Sequence, residues 1–374
     1  GIQRYAKSYV EKNYRKNPPK VTKALEAYLS GVNAFVDAGM TPLEFTLLGI
    51  PKREYRIEDL VSISVYMSYT FSNAVRQDPL ISHIQKNLGN GYLKDLALNW
   101  PEGDTQIKVS KKHADSDLQL ATLFTEMENI LSRIPPFFGS NSWVISASLS
   151  KSGKVILAND PHIGFAAPST WYEAHLKTPD WELYGHHLAG IPFALLGHNR
   201  RMAWGVTMLQ NDDLDYYRER ANPANPDQVW FRDHWEDLKI IEETISVKGG
   251  EDNPLRVRIS RHGPIINDVL ESVEKTEIQP VALAWEMLKN FENSTEQVFY
   301  ELGHSESLAN SRAAVSKLHA PGLNINYGDA EGNIAWWGAA RLLIRPEHVN
   351  SFVILDGASG KDEVLGYRDF SENP

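Results

Sequence analysis

Around Ser140 the chain runs Gly139-Ser140-Asn141-Ser142-Trp143-Val144-Ile145-Ser146, a glycine, a serine and an asparagine set directly ahead of an apolar, strand-forming run. Small polar residues followed by aromatic and β-branched ones describe a loop that feeds a buried strand. Alone, such a loop is far more often an ordinary turn than a reactive centre. Its interest lies in its position, because the character of the chain changes here.

Before this point the pattern is helical. Val21, Leu25, Tyr28, Leu29, Val32, Phe35 and Val36 recur at steps of three and four, and Gly39 with Pro42 ends the run. A second helix carries Leu60, Ile63, Met67 and Phe71 on one face. A third begins with Asp78 as N-cap and Pro79 in the first turn and stops near Gly89. Residues 100–115 are polar, with Pro101 and Gly103, and read as a linker; Ser116 then caps a helix from Leu118 to Leu131. After Ser140 short alternating runs predict strands at Lys154–Ala158, Thr170–Lys177, Glu182–Leu188, Met202–Thr207, Lys239–Val247 and Leu255–Arg261. A helix over Thr295–Leu318 and a hairpin of Leu323–Tyr327 with Asn333–Trp337 complete an α+β pattern.

Composition narrows the function. With 374 residues the chain can bury a large core, and a net charge of −10 without a basic run speaks against nucleic acid or an anionic membrane surface as partner. The absence of cysteine excludes disulfides, thiolate metal sites and cysteine nucleophiles. No apolar run is long enough to span a membrane. The chain opens without Met in what reads as the middle of a helix, so it is expected to be a fragment.

Further segments join the Ser140 stretch: Ile156-Leu157-Ala158-Asn159-Asp160-Pro161-His162-Ile163-Gly164, then Gly197-His198-Asn199, then Ala203-Trp204-Gly205. In that order and at those separations the chain resembles the penicillin acylase family, N-terminal-nucleophile amidases that include the acyl-homoserine-lactone acylases. Glu26 to Phe35, Pro42-Leu43-Glu44-Phe45, Ser260-Arg261-His262-Gly263-Pro264, Asn324 to Asp329 and Gly332-Asn333-Ile334 extend the resemblance nearly end to end. It implies an αββα sandwich with a helical N-terminal subunit region at 1–100. A spacer at 101–139 would end at the Gly139–Ser140 processing site, and 140–374 would be a strand-rich part truncated at its C-terminus. It also implies missing segments on both sides, a periplasmic or exported location, a small acyl amide as substrate, the protein's own two subunits as partners after processing, and no organic cofactor.

An amidase needs a nucleophile, a base and a cradle for the oxyanion. A serine at the start of a chain supplies two of these, since its α-amine, with a reference pKa of roughly 8, is a base near neutrality. The resemblance therefore implies that Ser140 Oγ attacks the Gly139 carbonyl, and that water resolves the resulting ester to free the Ser140 amine. Gly139 suits a strained backbone. Asn324 matches the side-chain donor to the oxyanion, although locally a turn asparagine fits as well, and the Met208 N–H matches its backbone partner. His162 would orient or tune the amine. Arg345 would lower the amine's pKa from beside Asn324, against a solvated arginine as the plain alternative. Asn141 would hold the loop.

The resemblance further implies a structural calcium held by Asp212, the Leu214 carbonyl, Asp215 and Gln77, hard oxygen donors in an acidic run that would otherwise read as a solvated loop. Met67, Phe71, Ile163 and Leu196 match acyl-pocket positions, where a core stripe would look the same. Aliphatic Ile163 and Leu196 favour a fatty acyl chain over a phenylacetyl ring. Gly303-His304-Ser305-Glu306-Ser307 lacks the closing glycine of a nucleophile elbow, which makes Ser305 a helical surface residue, and no H-E-x-x-H zinc motif occurs. The competing function is an uncleaved or catalytically silent acylase-like binding protein.

Overall fold

Leu323-Asn324-Ile325-Asn326-Tyr327 alternates apolar and polar residues, and the strand it forms buries Leu323, Ile325 and Tyr327 completely while Asn324 and Asn326 sit half-buried on the other face. Met202, Trp204 and Val206 do the same on the neighbouring strand. One side of the sheet therefore packs a core, and the other is left polar for the site.

The computed structural model describes residues 1–16, 18–72, 74–95, 120, 122, 137–167, 169–269, 279–289 and 295–374. Helices lead: α1 (Ile2–Val10), α2 (Lys20–Ala38), α3 (Leu43–Leu48), α4 (Ile57–Phe71), α5 (Ala74–Leu88) and α6 (Asn90–Asp95). The first strands are β1 (Phe137–Ile145), β2 (Ile156–Ile163), β3 (Trp171–Lys177), β4 (Glu182–Leu188), β5 (Leu196–Asn199), β6 (Met202–Met208) and β7 (Leu214–Arg218). Next come β8 (Arg220–Asn222), β9 (Asn225–Phe231), β10 (His234–Asp237), β11 (Lys239–Ile245), β12 (Asn253–Ile259) and β13 (Val281–Trp285). Helices α7 (Glu286–Lys289), α8 (Thr295–Gly303) and α9 (Leu308–Val315) precede β14 (Leu323–Asp329) and β15 (Ile334–Ala339). Short strands β16 (Leu343–Ile344), β17 (Leu355–Asp356) and β18 (Gly366–Tyr367) close the chain.

The main sheet has six strands in the order β15-β14-β6-β5-β4-β3, each pair antiparallel. The β1–β2 hairpin lies across the polar face of β6 and β14. A β-carbon added to Gly205 would come within 2.9 Å of Asn159 Cβ and Ser142 Oγ, so only glycine lets the hairpin sit this close. On the opposite face Val298, Phe299 and Leu302 of α8 are fully buried in one core with Trp204, Ile325 and Tyr327. Tyr5, Val10, Leu25, Leu60 and Val65 of the helical region belong to that same core. Each such side chain contributes roughly 1.5–3 kcal/mol through burial. Glu296, buried in α8, accepts from Ser64 Oγ at 2.6 Å and Tyr14 Oη at 3.4 Å, which ties the helical region to the sheet.

The expected helices over residues 21–36 and 60–71, the hairpin of β14 with β15 and the strand-rich second half are present. Several local expectations change. Ser140 lies inside β1 rather than on a loop, because pairing with β2 extends the strand back to Phe137. The run after it is not buried, with Trp143 54% exposed. Helix α5 begins at Ala74, so Asp78 is no N-cap and Pro79 falls within the helix. The Thr295–Leu318 helix divides in two where the Ser307 hydroxyl accepts from the Asn310 N–H and starts α9. Ser305 is buried rather than on the surface, its hydroxyl donating to Glu301 O at 2.9 Å. The expected linker at 100–115 and nearly all of the 118–131 helix lie outside the described residues. Among the described residues no helix is long and apolar enough to cross a membrane.

Candidate active site

The Gly139–Ser140 bond sits at an irregularity in the hairpin ladder. Phe137 pairs with Ile163 and Gly139 with His162, so β1 carries one residue more than β2 at this point, a β-bulge immediately before Ser140. Gly139 has φ +152°, a value side-chain-bearing residues rarely adopt. Its partner across the ladder supplies an imidazole: a β-carbon on Gly139 would lie 3.8 Å from His162 Nδ1. The other ring nitrogen, His162 Nε2, stands 3.0 Å from Asp160 Oδ2 and 3.3 Å from Asn141 Nδ2. A protonated Nε2 donates to Asp160, and a bare one accepts from Asn141. Ser140 itself pairs with Pro161, which has no N–H to give.

Below the hairpin, β6 and β14 bring Met208 and Asn324 together. Leu209 N–H donates to Gly322 O at 3.0 Å, which fixes Thr207 and Asn324 as a hydrogen-bonded pair and Met208 and Leu323 as a non-bonded one. The Met208 N–H therefore points away from β14, off the same edge as the Val206 N–H that donates to Asn159 Oδ1. The Asn324 amide donates from Nδ2 to Thr207 Oγ1 and Met208 O, both at 3.0 Å, and accepts at Oδ1 from Trp336 Nε1 at 3.2 Å. Its nitrogen thus faces β6, and an incoming anion would have to displace the Thr207 hydroxyl or the Met208 carbonyl.

A cavity of about 560 Å³ opens beside these groups. Met67, Phe71 and Ile163, expected at acyl-pocket positions, line this cavity, together with Pro161, Thr207, Met208 and Leu323. The residues paired with Ser140 and Thr207's neighbours thus form its wall. Leu196 does not line it: it is buried on β5, and Leu195 takes the place.

The acidic cluster lies on the far side of Phe71. Arg345 Nη2 donates to Asp215 Oδ2 at 2.9 Å and to Asp212 O at 2.7 Å, so the guanidinium serves this cluster rather than Asn324. Gln77 is exposed, whereas its neighbour Asp78 is buried, and among the described residues neither Asp78 oxygen nor Asp215 Oδ1 has a hydrogen-bond partner. Burial, reinforced by Asp212 and Asp215, holds the Asp78 carboxyl well above the usual carboxylate range, and burial pushes Asp215 to about 7. Asp212 takes φ +48°, uncommon outside glycine. Among the described residues no three carboxylates or imidazoles stand close enough to share one ion.

The penicillin amidase family model matches residues 1–374. The chain belongs to the penicillin amidase family. An acyl-homoserine lactone acylase, QuiP, of Pseudomonas aeruginosa is 25% identical to this penicillin amidase family chain over 377 residues, covering 96% of the chain and 44% of that protein. Penicillin acylase 2 proenzyme of Pseudomonas sp. strain SE83 is 26% identical over 92% of the chain and 44% of its own length. Among solved structures, the thermostable penicillin G acylase of Alcaligenes faecalis matches with a TM-score of 0.56 at 25% identity, over 62% of this chain and 41% of that one. The α+β fold is that of this N-terminal-nucleophile hydrolase. The chain spans less than half the length of the two Pseudomonas relatives.

Some site residues were not singled out from sequence. Asn159, Ser142 and Asn326 weld the hairpin to the sheet, with Asn326 Nδ2 donating to Ser142 Oγ at 2.8 Å. Their signal was present as polar residues at alternating positions of otherwise apolar strands. Trp336 and Asp78 carried no such signal, because cross-strand and inter-element contacts define them.

Proposed function

We propose that this penicillin amidase family member hydrolyses the amide between an acyl group and an amine, with Ser140 as its nucleophile after cleavage of the Gly139–Ser140 bond. The observation that carries the reading is the position of that bond: at a bulge, at a positive-φ glycine, beside His162 and next to an apolar cavity. In maturation the Ser140 hydroxyl adds to the Gly139 carbonyl, the C–N bond breaks as the proton passes to the Ser140 nitrogen, and water hydrolyses the ester to a Gly139 carboxylate. The free α-amine then takes the Oγ proton as Oγ attacks a substrate carbonyl. The proton goes to the departing amine, and water releases the acid. The Met208 N–H and the Asn324 amide hold the oxyanion, a charged acceptor that competes well against the neutral Thr207 hydroxyl. His162 orients the amine.

Aliphatic Ile163 and Leu195 in the lining favour a fatty acyl group, although Tyr66, Phe71 and Trp171 line the cavity as well. The two pieces of the cut chain would remain together through the shared core. Calcium belongs to the proposal on donor chemistry alone: the buried oxygens of Asp78 and Asp215 that have no partner among the described residues are hard ligands. Asp78, with Asp212, Asp215 and the Leu214 carbonyl, is put forward in place of Gln77, and the three carboxylates would have to draw together to share the ion. No step passes through the metal. An exported or periplasmic location rests on the family resemblance.

The test is the intact mass of the full-length protein with N-terminal sequencing of each species. A chain beginning Ser-Asn-Ser-Trp that hydrolyses octanoyl amides supports the reading. A single uncut chain that binds acyl amides without hydrolysing them overturns it in favour of a silent binding protein.

A further inference from the structure

A second apolar cavity, of about 400 Å³, lies behind the first, and the two share Ile63 and Ala189 as their common wall. The helical stripe of α4 runs beneath both: Leu60 borders the second cavity, Ile63 borders each, and Met67 and Phe71 border the first. Residues at steps of three and four share one face of a helix, so this is a continuous apolar floor. The wall itself is thin. Ala189 offers only a methyl group, and Gly190, with φ +89°, offers none; a β-carbon there would overlap Ile63 Cδ1, so Ile63 is seated directly on the Gly190 α-carbon. The half-buried Ile63 side chain is therefore what divides the cavities.

The second cavity is lined by Leu29, Val32 and Val36 of α2, and the cations at its rim already have partners. Lys52 Nζ donates to the carbonyls of Val36 and Gly39, and Arg53 pairs with Asp59 at 2.7 Å. The occupant such a chamber suits is an uncharged hydrocarbon chain.

We infer that the two cavities are one acyl tunnel interrupted by Ile63 and Ala189, whose second chamber takes the distal methylenes of a long linear fatty acyl chain. The inference rests on the amide-hydrolysis reading for the position of the acyl carbonyl at Ser140. Ile63 is then a specificity-determining residue, and a change of its side-chain rotamer admits or refuses the longer chains.

The test uses the full-length protein and two readouts: kcat/KM for octanoyl and hexadecanoyl amides, and calorimetric binding of octanoate and hexadecanoate. Val32→Trp, which fills the second chamber, is expected to lower the long-to-short ratio in both readouts by about tenfold or more, the loss for about two methylenes no longer buried. Val36→Trp on the same wall replaces it should Val32→Trp fail to fold. Ile63→Ala is expected to raise the ratio several-fold and Ile63→Trp to lower it. Ratios that stay put in folded variants overturn the tunnel. If no amide is cleaved but hexadecanoate binding still falls with Val32→Trp, the chamber stands and the hydrolytic reading fails.

Discussion

Asn159 holds Val206 at two points: its Nδ2 donates to the Val206 carbonyl at 3.0 Å, and its Oδ1 accepts from the Val206 N–H at 2.8 Å. The same Nδ2 donates to Asn141 O, so one side chain joins β2, β1 and β6. Val206 is buried, and Asn159→Ala leaves both of its backbone groups without a partner. We expect a loss of roughly 2–4 kcal/mol in urea unfolding, and a failure to process at Ser140 by intact mass. Normal processing in a variant destabilised to this extent would show that hairpin placement is not needed for the cut.

Trp336 orients the Asn324 amide through its indole N–H without lining the cavity itself. Trp336→Phe removes that bond and frees the amide to turn. If the amide serves the oxyanion as proposed, kcat is expected to fall about tenfold with KM little changed. An equal rise in KM would instead mean that the substitution disturbs the pocket.

His262 lies buried between Glu219, 2.8 Å from Nδ1, and Glu363, 2.6 Å from Nε2, and stacks on Tyr217 at 4.0 Å. Burial opposes its charge, but the two carboxylates outweigh burial and raise its pKa. A group whose folded pKa is raised stabilises fully below the unfolded value of about 6.5 and loses that contribution as pH climbs through the folded pKa. Urea midpoints are therefore expected to decline from pH 6 upward in the wild type and to decline less in His262→Gln. Parallel profiles would rule the imidazolium out.

Among the described residues, Arg345 is the cation that pairs with the buried Asp215. Arg345→Met leaves that carboxylate without it and is expected to cost about 3–5 kcal/mol, read as a lowered urea midpoint. Arg345→Lys should recover only part, since Nε and Nη2 both donate to Asp215 Oδ2, a contact from two nitrogens that needs the guanidinium fork.

Added calcium is expected to raise the melting temperature of the wild type, by an amount that grows with concentration. Asp78→Asn should abolish that shift, whereas Gln77→Ala should keep it. A shift that survives Asp78→Asn places the ion elsewhere.

Local sequence carried the fold well where periodicity is strong, as in α2, α4 and the β14–β15 hairpin. It failed at Ser140, where three polar residues suggested a loop and only the partner strand reveals an extended chain. It failed also at Pro79, which stands sixth in α5, where its missing N–H forgoes the bond to the Val75 carbonyl, so the helix runs through Asp78 and needs no cap there. The serine, histidine and asparagine of the proposed site came from motifs. Arg345 was found too, but with a different neighbour, because sequence gives no distance between Ile344-Arg345 and the acidic run at 212–215. Side chains that act across elements, such as Asn159 on Val206 or Trp336 on Asn324, become visible only once the sheets are stacked.

Of the eight paired positions between β1 and β2, six lie from Ser140 onward, so a cut before Ser140 leaves the newborn end still stitched into its ladder. The discarded end keeps only the Phe137 and Gly139 pairings. If the proposed cut is made, the peptide ending in Gly139 is the first product, and it would have to peel away from His162 before a foreign acyl group could take its seat.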